Sequence, residues 1–336
     1  MKLIIGNART QTEGFSRALE RRLYAALSFR VQGAEYSAQF AMGAWDGRKR
    51  LYSLRTHSFP TGLLSWVLAR APEATLVDMR TMPEQAFAPH HVVGATLRPY
   101  QAEAAAEAVR IGRGVIRAAT GSGKSLIAGE IIAVLGVKTL VVVHLTPLLH
   151  QMRQALESCL KVGEVGQVGD GKFEPRDVTV AMIQTLHARR TDPEMKKFLA
   201  SIGCVVFDEG HHLPSDSAFD IAQSIDARYR FAMSATPWRS DGRDLMIHAA
   251  TGRRIVDINA SQLIAQGYLA RPDVIFHDVA PVQTGLLAYK PSYRAAIVQN
   301  AKRNTQIADI AARYARKGKT VLVAVSVSPT NRLEEM

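Results

Sequence analysis

Through the middle of the chain, short unbroken apolar runs alternate with longer stretches of mixed character. Residues 114–116, 139–144, 178–183, 204–207 and 230–233 show no period-two alternation, as expected of parallel strands covered on both faces. Residues 126–135 and 148–160 lie between such runs and are long enough for crossover helices. The pattern predicts an open α/β sheet across residues 90–268, with ligands at the carboxyl ends of its strands. Upstream, residues 1–89 read as a small α+β domain. Residues 15–27 carry apolar positions at helical spacing and residues 36–45 have strand character. Asp46-Gly47 suits a tight hairpin turn, with residues 48–54 as the returning strand. Residues 83–89, with two prolines, read as a linker. Residues 269–336 read as the start of a second α/β domain, with strands at 269–279 and 320–327 flanking a helical stretch at 291–316.

The candidate chemistry falls where the runs end. Residues 118–125 read A-A-T-G-S-G-K-S between a predicted strand and a predicted helix, the context of a phosphate-binding loop. In such a loop Thr120, Gly121, Ser122 and Gly123 turn backbone N–H groups toward phosphate, and the helix dipole adds to that field. Lys124 then reaches the β and γ phosphates of ATP, and Ser125 takes one position on Mg2+. The run at 204–207 leads directly into Asp208-Glu209-Gly210-His211. Two acids delivered to a strand's carboxyl edge serve chemistry better than stability, because carboxylates are rarely buried unpaired. Asp208 is assigned to the metal and Glu209 to the attacking water, an exposed acidic turn being the plain alternative. L-R-P-Y-Q at 97–101 starts a helix with proline in its first turn. Its position just upstream of the loop makes Arg98 and Gln101 candidates for adenine.

Composition sharpens the choice of partner. The 336 residues carry a net charge of +12, with 47% hydrophobic and 21% charged residues, so two or three cored domains are expected. The charge favours a polyanion, nucleic acid first and an anionic membrane surface second. Arg48, Lys49 and Arg50 beside Trp45 form either a solvated turn or a contact for a nucleic-acid backbone. Cys159 and Cys204 are the only cysteines, too few for a disulfide framework or a zinc site. With no apolar run of membrane length and no signal-peptide pattern, the expectation is a soluble cytoplasmic protein without a membrane partner.

Taken in order, L-R-P-Y-Q, A-A-T-G-S-G-K-S, V-V-V-H-L-T-P-L-L-H-Q, V-T-V-A-M-I-Q-T-L, D-E-G-H and M-S-A-T-P-W-R resemble the first motor domain of superfamily 2 (DExH-box) helicases, a RecA-like P-loop NTPase. W-D-G at 45–47 and F-P-T-G-L-L at 59–64 are similar to the domain that precedes the motor in the XPB and UvsW type. The resemblance implies that Gln101 contacts adenine, that Lys124 and Ser125 hold phosphate and magnesium, and that Asp208 and Glu209 form the hydrolytic pair. It implies that His211, Ser234 and Thr236 couple nucleotide state to nucleic acid, and that Thr146, Pro147, Gln184 and Thr185 lie along the strand-binding face. It further implies DNA, duplex or branched before RNA, as the track, and a place in DNA repair or recombination. The family's second motor domain carries an arginine motif that has no counterpart after Val327. An arginine against the transferring phosphate is worth about 10³ to 10⁵ in rate. The expectation is therefore an incomplete second RecA-like domain. A binding module without turnover and the motor subunit of a restriction complex are the competing readings.

Overall fold

The computed structural model describes residues 1–236, 242–280, 282, 285 and 288–322. The chain divides into two compact units, one from Met1 to Ala270 and the other from Arg271 onward. In the first unit, strands β1 (Lys2–Ile5) and β2 (Arg9–Glu13) precede helix α1 (Arg17–Ala26), which Ser16 caps by accepting from the Leu19 N–H. Then come β3 (Ser28–Arg30), the short α2 (Ala38–Ala41), β4 (Arg48–Arg50), β5 (Ser58–Pro60), α3 (Leu64–Leu68) and β6 (Thr75–Asp78). Four of these strands form a sheet in the order β5-β2-β1-β6, and β3 pairs antiparallel with β4 as a separate ribbon.

The larger sheet begins after α4 (Pro99–Ile111) with β7 (Arg113–Ala118), α5 (Lys124–Leu135), β8 (Thr139–Val143) and α6 (Thr146–Cys159). It continues through β9 (Gly166–Gly169), β10 (Lys172–Glu174), β11 (Val178–Met182), α7 (Ile183–Ala188) and α8 (Pro193–Ala200). The last part is β12 (Cys204–Phe207), α9 (Asp216–Ser224), β13 (Tyr229–Ser234), α10 (Asp244–Thr251), β14 (Arg254–Ile258) and α11 (Ala260–Ala265). The strand order is β10-β9-β11-β8-β12-β13-β7-β14, parallel except for the edge hairpin to β10. This is the RecA-like α/β architecture. Helices α12 (Tyr289–Tyr293) and α13 (Ala301–Ala315) belong to the second unit.

The expected hairpin across Asp46-Gly47 does not form. Residues 36–45 are not a strand, because Ser37 accepts from the Phe40 N–H and starts α2, and β4 pairs instead with β3. Gly47, at φ 75°, is required by close packing, since a Cβ there would lie 3.0 Å from Ala34 and 3.2 Å from Phe40. No strand forms at 269–279 either. Val274, Ile275 and Phe276 are exposed and no neighbouring strand pairs with them among the described residues. Of the strand expected at 320–327, residues 320–322 have no regular structure and the rest lie outside the described residues.

The amino-terminal sheet docks on helices α9 and α10. Asn7 Nδ2 donates to the Asp226 carbonyl at 3.0 Å, and the Ala8 N–H donates to Asp226 Oδ1 at 3.1 Å. Lys49 pairs with Asp216, the first residue of α9. Gly62 packs so closely on the end of α10 that a Cβ would fall 2.0 Å from the His248 carbonyl oxygen and 2.6 Å from that of Ala249. Trp66 and His248 rings meet at 5.2 Å. One apolar cluster accordingly runs from Leu3, Leu23, Phe59 and Leu63 to Val115, Phe207, Ile221 and Ile247. Arg230 of β13 is fully buried and donates to the carbonyls of Ala222, Ile225 and Ala250. Burial lowers its pKa to about 10, and the helix-end carbonyls satisfy the guanidinium.

Candidate nucleotide site and its coupling network

β7 ends at Ala118 and α5 begins at Lys124, so residues 119–123 make the bend that the phosphate-loop pattern requires. Gly121 and Gly123 have φ of 79° and 81°, in the left-handed region that favours glycine. Thr120, Gly121 and Gly123 are exposed, Lys124 and Ser125 half-buried, and Ser122 is buried with its carbonyl turned back toward α4. That carbonyl accepts from Tyr100 Oη at 2.9 Å and from Gln101 Nε2 at 2.8 Å.

Gln101 is therefore committed to holding the loop. Its Oε1 accepts from the Arg98 N–H at 2.8 Å, closing a capping box on α4, and the side chain is only 4% exposed. Adenine could reach this carboxamide only by displacing those bonds. Arg98 is more open, with its guanidinium 4.6 Å from the centre of the Tyr268 ring, and Tyr100 and Tyr268 rings are 5.4 Å apart. Sequence reasoning missed Tyr268, which lies far from any motif. Tyr100 was in view inside L-R-P-Y-Q but had no assigned role.

β12 delivers Asp208 and Glu209 opposite the loop. The Asp208 N–H bonds to the Val142 carbonyl, while its Oδ1 is buried and accepts no hydrogen bond. Burial pushes the Asp208 carboxyl above the usual carboxylate range; Lys124 opposes that shift and Glu209 adds to it. Glu209 adopts a left-handed backbone, φ 48°, uncommon for a residue with a side chain. Its Oε1 accepts from Lys124 Nζ at 2.6 Å and its Oε2 lies 3.2 Å from His211 Nδ1. The same His211 nitrogen is 3.1 Å from Ser234 Oγ, which accepts from the Thr236 N–H at 3.2 Å. Five residues singled out in the sequence thus form one connected chain: Lys124, Glu209, His211, Ser234 and Thr236.

This geometry accompanies a clear likeness in sequence. A family model described as the res subunit of type III restriction enzymes matches residues 94–239. The DNA 3'-5' helicase XPB of Kineococcus radiotolerans is 32% identical over 201 residues, 58% of this chain and 36% of that protein. The DNA 3'-5' translocase XPB2 of Sulfurisphaera tokodaii is 32% identical over 175 residues, 52% and 38% of the two chains. By these matches the chain is similar to the superfamily 2 helicases. Its fold is that of the UvsW helicase of bacteriophage T4, with a TM-score of 0.61 at 18% identity over 76% of this chain and 99% of that one. The chain spans between a third and two fifths of the length of these two curated relatives.

The residues expected to bind a strand come together at the carboxyl ends of adjacent parallel strands, β8 and β11. Thr146 and Pro147 open α6, and Gln184 and Thr185 sit in the first turn of α7. Gln184 Nε2 donates to the His144 carbonyl at 2.9 Å, and Thr146 Oγ1 approaches Met182 Sδ at 3.6 Å. His144, unassigned in the sequence, joins this face to the turn that follows Asp208 and Glu209. Its ring lies 3.8 Å from that of His212, which lies 4.2 Å from that of His211. His144 Nδ1 is buried without a hydrogen bond, and burial followed by the neighbouring His211 lowers its pKa. Of the basic turn, Lys49 and Arg50 are paired with Asp216 and Asp46. No helix among the described residues is long and apolar enough to cross a membrane.

Proposed function

We propose that the chain binds and hydrolyses ATP and couples that reaction to movement on duplex or branched DNA. The observation that carries this reading is the contact chain from Lys124 through Glu209 and His211 to Ser234. It supports reading Lys124 as a phosphate-seeking cation, Glu209 as a base, and His211 with Ser234 as a coupling pair. In the resting geometry Lys124 and Glu209 neutralise each other. When the γ-phosphate enters, Lys124 turns to it, and the released Glu209 carboxylate orients the attacking water and takes its proton. His211 then loses or strengthens its bond to Ser234 as Glu209 changes partner. The base and ribose lie toward Arg98, Tyr100 and Tyr268.

Asp208 and Ser125 are the residues to hold Mg2+. The buried, unpartnered Asp208 Oδ1 fits a cation. Among the described residues no group of three or more His, Cys, Asp or Glu side chains suits a metal, which fits an ion held mainly by nucleotide and water. When bound, magnesium neutralises charge on the β and γ phosphates. Thr146, Pro147, Gln184 and Thr185 grip the DNA backbone without reading sequence. The names of the relatives support a 3'-to-5' direction; a place in DNA repair or recombination, in the cytoplasm, is our extension of that reading.

The test is ATP turnover by the chain with and without branched DNA, with Lys124→Ala as the reference. DNA-stimulated turnover lost in the variant is the expected result. Measurable ATP binding without turnover would replace the motor reading with that of an ATP- and DNA-binding module.

A further inference from the structure

A second cleft, of about 420 Å3, lies between the β3–β4 ribbon and the motor sheet. Phe29, Trp45 and Arg48 line it from the ribbon side, and Pro214, Arg243 and Met246 from the other. Among the described residues Asp216 is the only acid on its walls, and it is already paired with Lys49. The volume is that of a site for one small ligand, too small for a duplex. Pro214 follows the turn that carries His211, and Arg243 caps the helix that follows Thr236. The cleft is thus walled on that side by residues just after the His211 turn and at the start of α10.

The ribbon's charge pattern identifies the ligand. The register sets Arg30 directly opposite Arg48, and like charges so placed destabilise a ladder. Lys49 and Arg50 each have a carboxylate, whereas among the described residues no ion pair reaches Arg30 or Arg48. Arg48 is nonetheless held in place, with Nε and Nη2 donating to Ser28 Oγ and carbonyl at 3.0 and 3.4 Å. Trp45 is fixed beside it by an Nε1–H bond to the Arg48 carbonyl at 2.9 Å. Two arginines without an acid, one of them pre-set next to an indole, suit an anion that carries a planar ring. Phosphate offsets the Arg30–Arg48 repulsion, and a base stacks on an aromatic face whatever its identity.

We propose that this cleft holds one unpaired nucleotide of a DNA strand, with its base against Trp45 and its phosphate on Arg30 and Arg48. The proposal rests on the reading of the chain as a DNA motor. It adds a binding site separate from the Thr146–Gln184 face.

The experiment measures binding of a fluorescent single-stranded oligonucleotide, and of a duplex of equal length, by the full chain across a salt series. The variants are Arg30→Ala with Arg48→Ala, and Trp45→Leu beside the conservative Trp45→Phe, all checked for unchanged thermal melting. Loss of two phosphate contacts should reduce the slope of log K against log salt by about 1.4 for the single strand. Trp45→Leu should weaken single-strand binding roughly 5- to 150-fold while Trp45→Phe largely retains it. The duplex should change little with either Trp45 variant. Unchanged slopes and affinities, or equal losses on single strand and duplex, overturn the proposal. Lys124-dependent ATP turnover on the same preparations reports separately on the motor. Absent turnover with the expected slopes leaves the cleft standing and removes the motor reading, whereas normal turnover with unchanged slopes does the reverse.

Discussion

Gly62→Ala puts the docking of the amino-terminal sheet to a quantitative test. Gly62 has an ordinary backbone conformation, so alanine adds only a methyl group and no φ strain. That methyl would sit 2.0 Å from the His248 carbonyl oxygen and 2.6 Å from that of Ala249, both rigid backbone atoms in α10. Restoring ordinary contact requires a separation of roughly 1 Å or more between the two surfaces. That movement also stretches the Trp66–His248 contact and the bonds from Asn7 and Ala8 to Asp226. Overpacking of this kind costs about 1–3 kcal/mol. With a urea dependence of ~3 kcal/mol per molar, the unfolding midpoint falls by about 0.3–1 M. Urea titration followed by circular dichroism measures this directly, with Ser65→Ala, an exposed position on the neighbouring α3, as the control. A Gly62→Ala midpoint equal to that of the control would refute the packing argument.

His144→Leu should keep ATP turnover in the absence of DNA within a few-fold of normal but reduce its stimulation by DNA, because the imidazole that packs on His212 is gone while the backbone carbonyl held by Gln184 remains; steady-state turnover with and without DNA decides. Glu20 is buried, which raises its pKa, but hydrogen bonds from Tyr52, His57 and Thr12 outweigh that and hold it below the ordinary value of 4.5. Its contribution to stability is therefore full above that value and lost as pH falls through the folded-state pKa. Thermal melts of the protein and of Glu20→Gln should differ at pH 7 and converge on acidification below about pH 4; a constant difference would contradict the assignment. Burial pushes the thiols of Cys159 and Cys204 up to about 11 and about 12. Neither should react with a disulfide reagent at pH 8 until denaturant is added.

How much of this was legible in the sequence depended on whether burial was carried by apolar residues. The parallel sheet was, because β8, β11 and β12 bury nearly every side chain and read as Val-rich runs without period-two alternation. The amino-terminal sheet was not. β2 reads Arg-Thr-Gln-Thr-Glu and looks like loop, yet Thr10 and Thr12 are buried because their hydroxyls meet Thr61 and Tyr52. Ser37 turned an apparent strand into a capped helix, a local hydrogen bond that hydrophobic pattern alone cannot report. At the site, the motifs named the residues that meet around Lys124 and Glu209 but not their partners. Tyr268 reaches the Arg98 guanidinium from over 160 residues downstream, and His144 meets His212 in a tilted ring contact that spacing does not encode.

The span of the Asn7 contacts has a consequence for synthesis. Asn7 waits for Asp226, 219 residues later, whereas Arg230 finds all three of its carbonyls within 20 residues. At ~5–20 residues per second, the amino-terminal sheet leaves the ribosome roughly 10–40 seconds before its docking partner exists. During that interval it must hold together from its own contacts. The hydroxyl pairs Thr10–Thr61 and Thr12–Tyr52, with the carboxylate of Glu20 between Tyr52 and His57, are closed within the first 61 residues. The polar pairs that hid this sheet from its hydrophobic pattern can close while it waits, whereas the apolar cluster that joins Phe59 and Leu63 to Ile221 and Ile247 cannot close until the motor sheet exists.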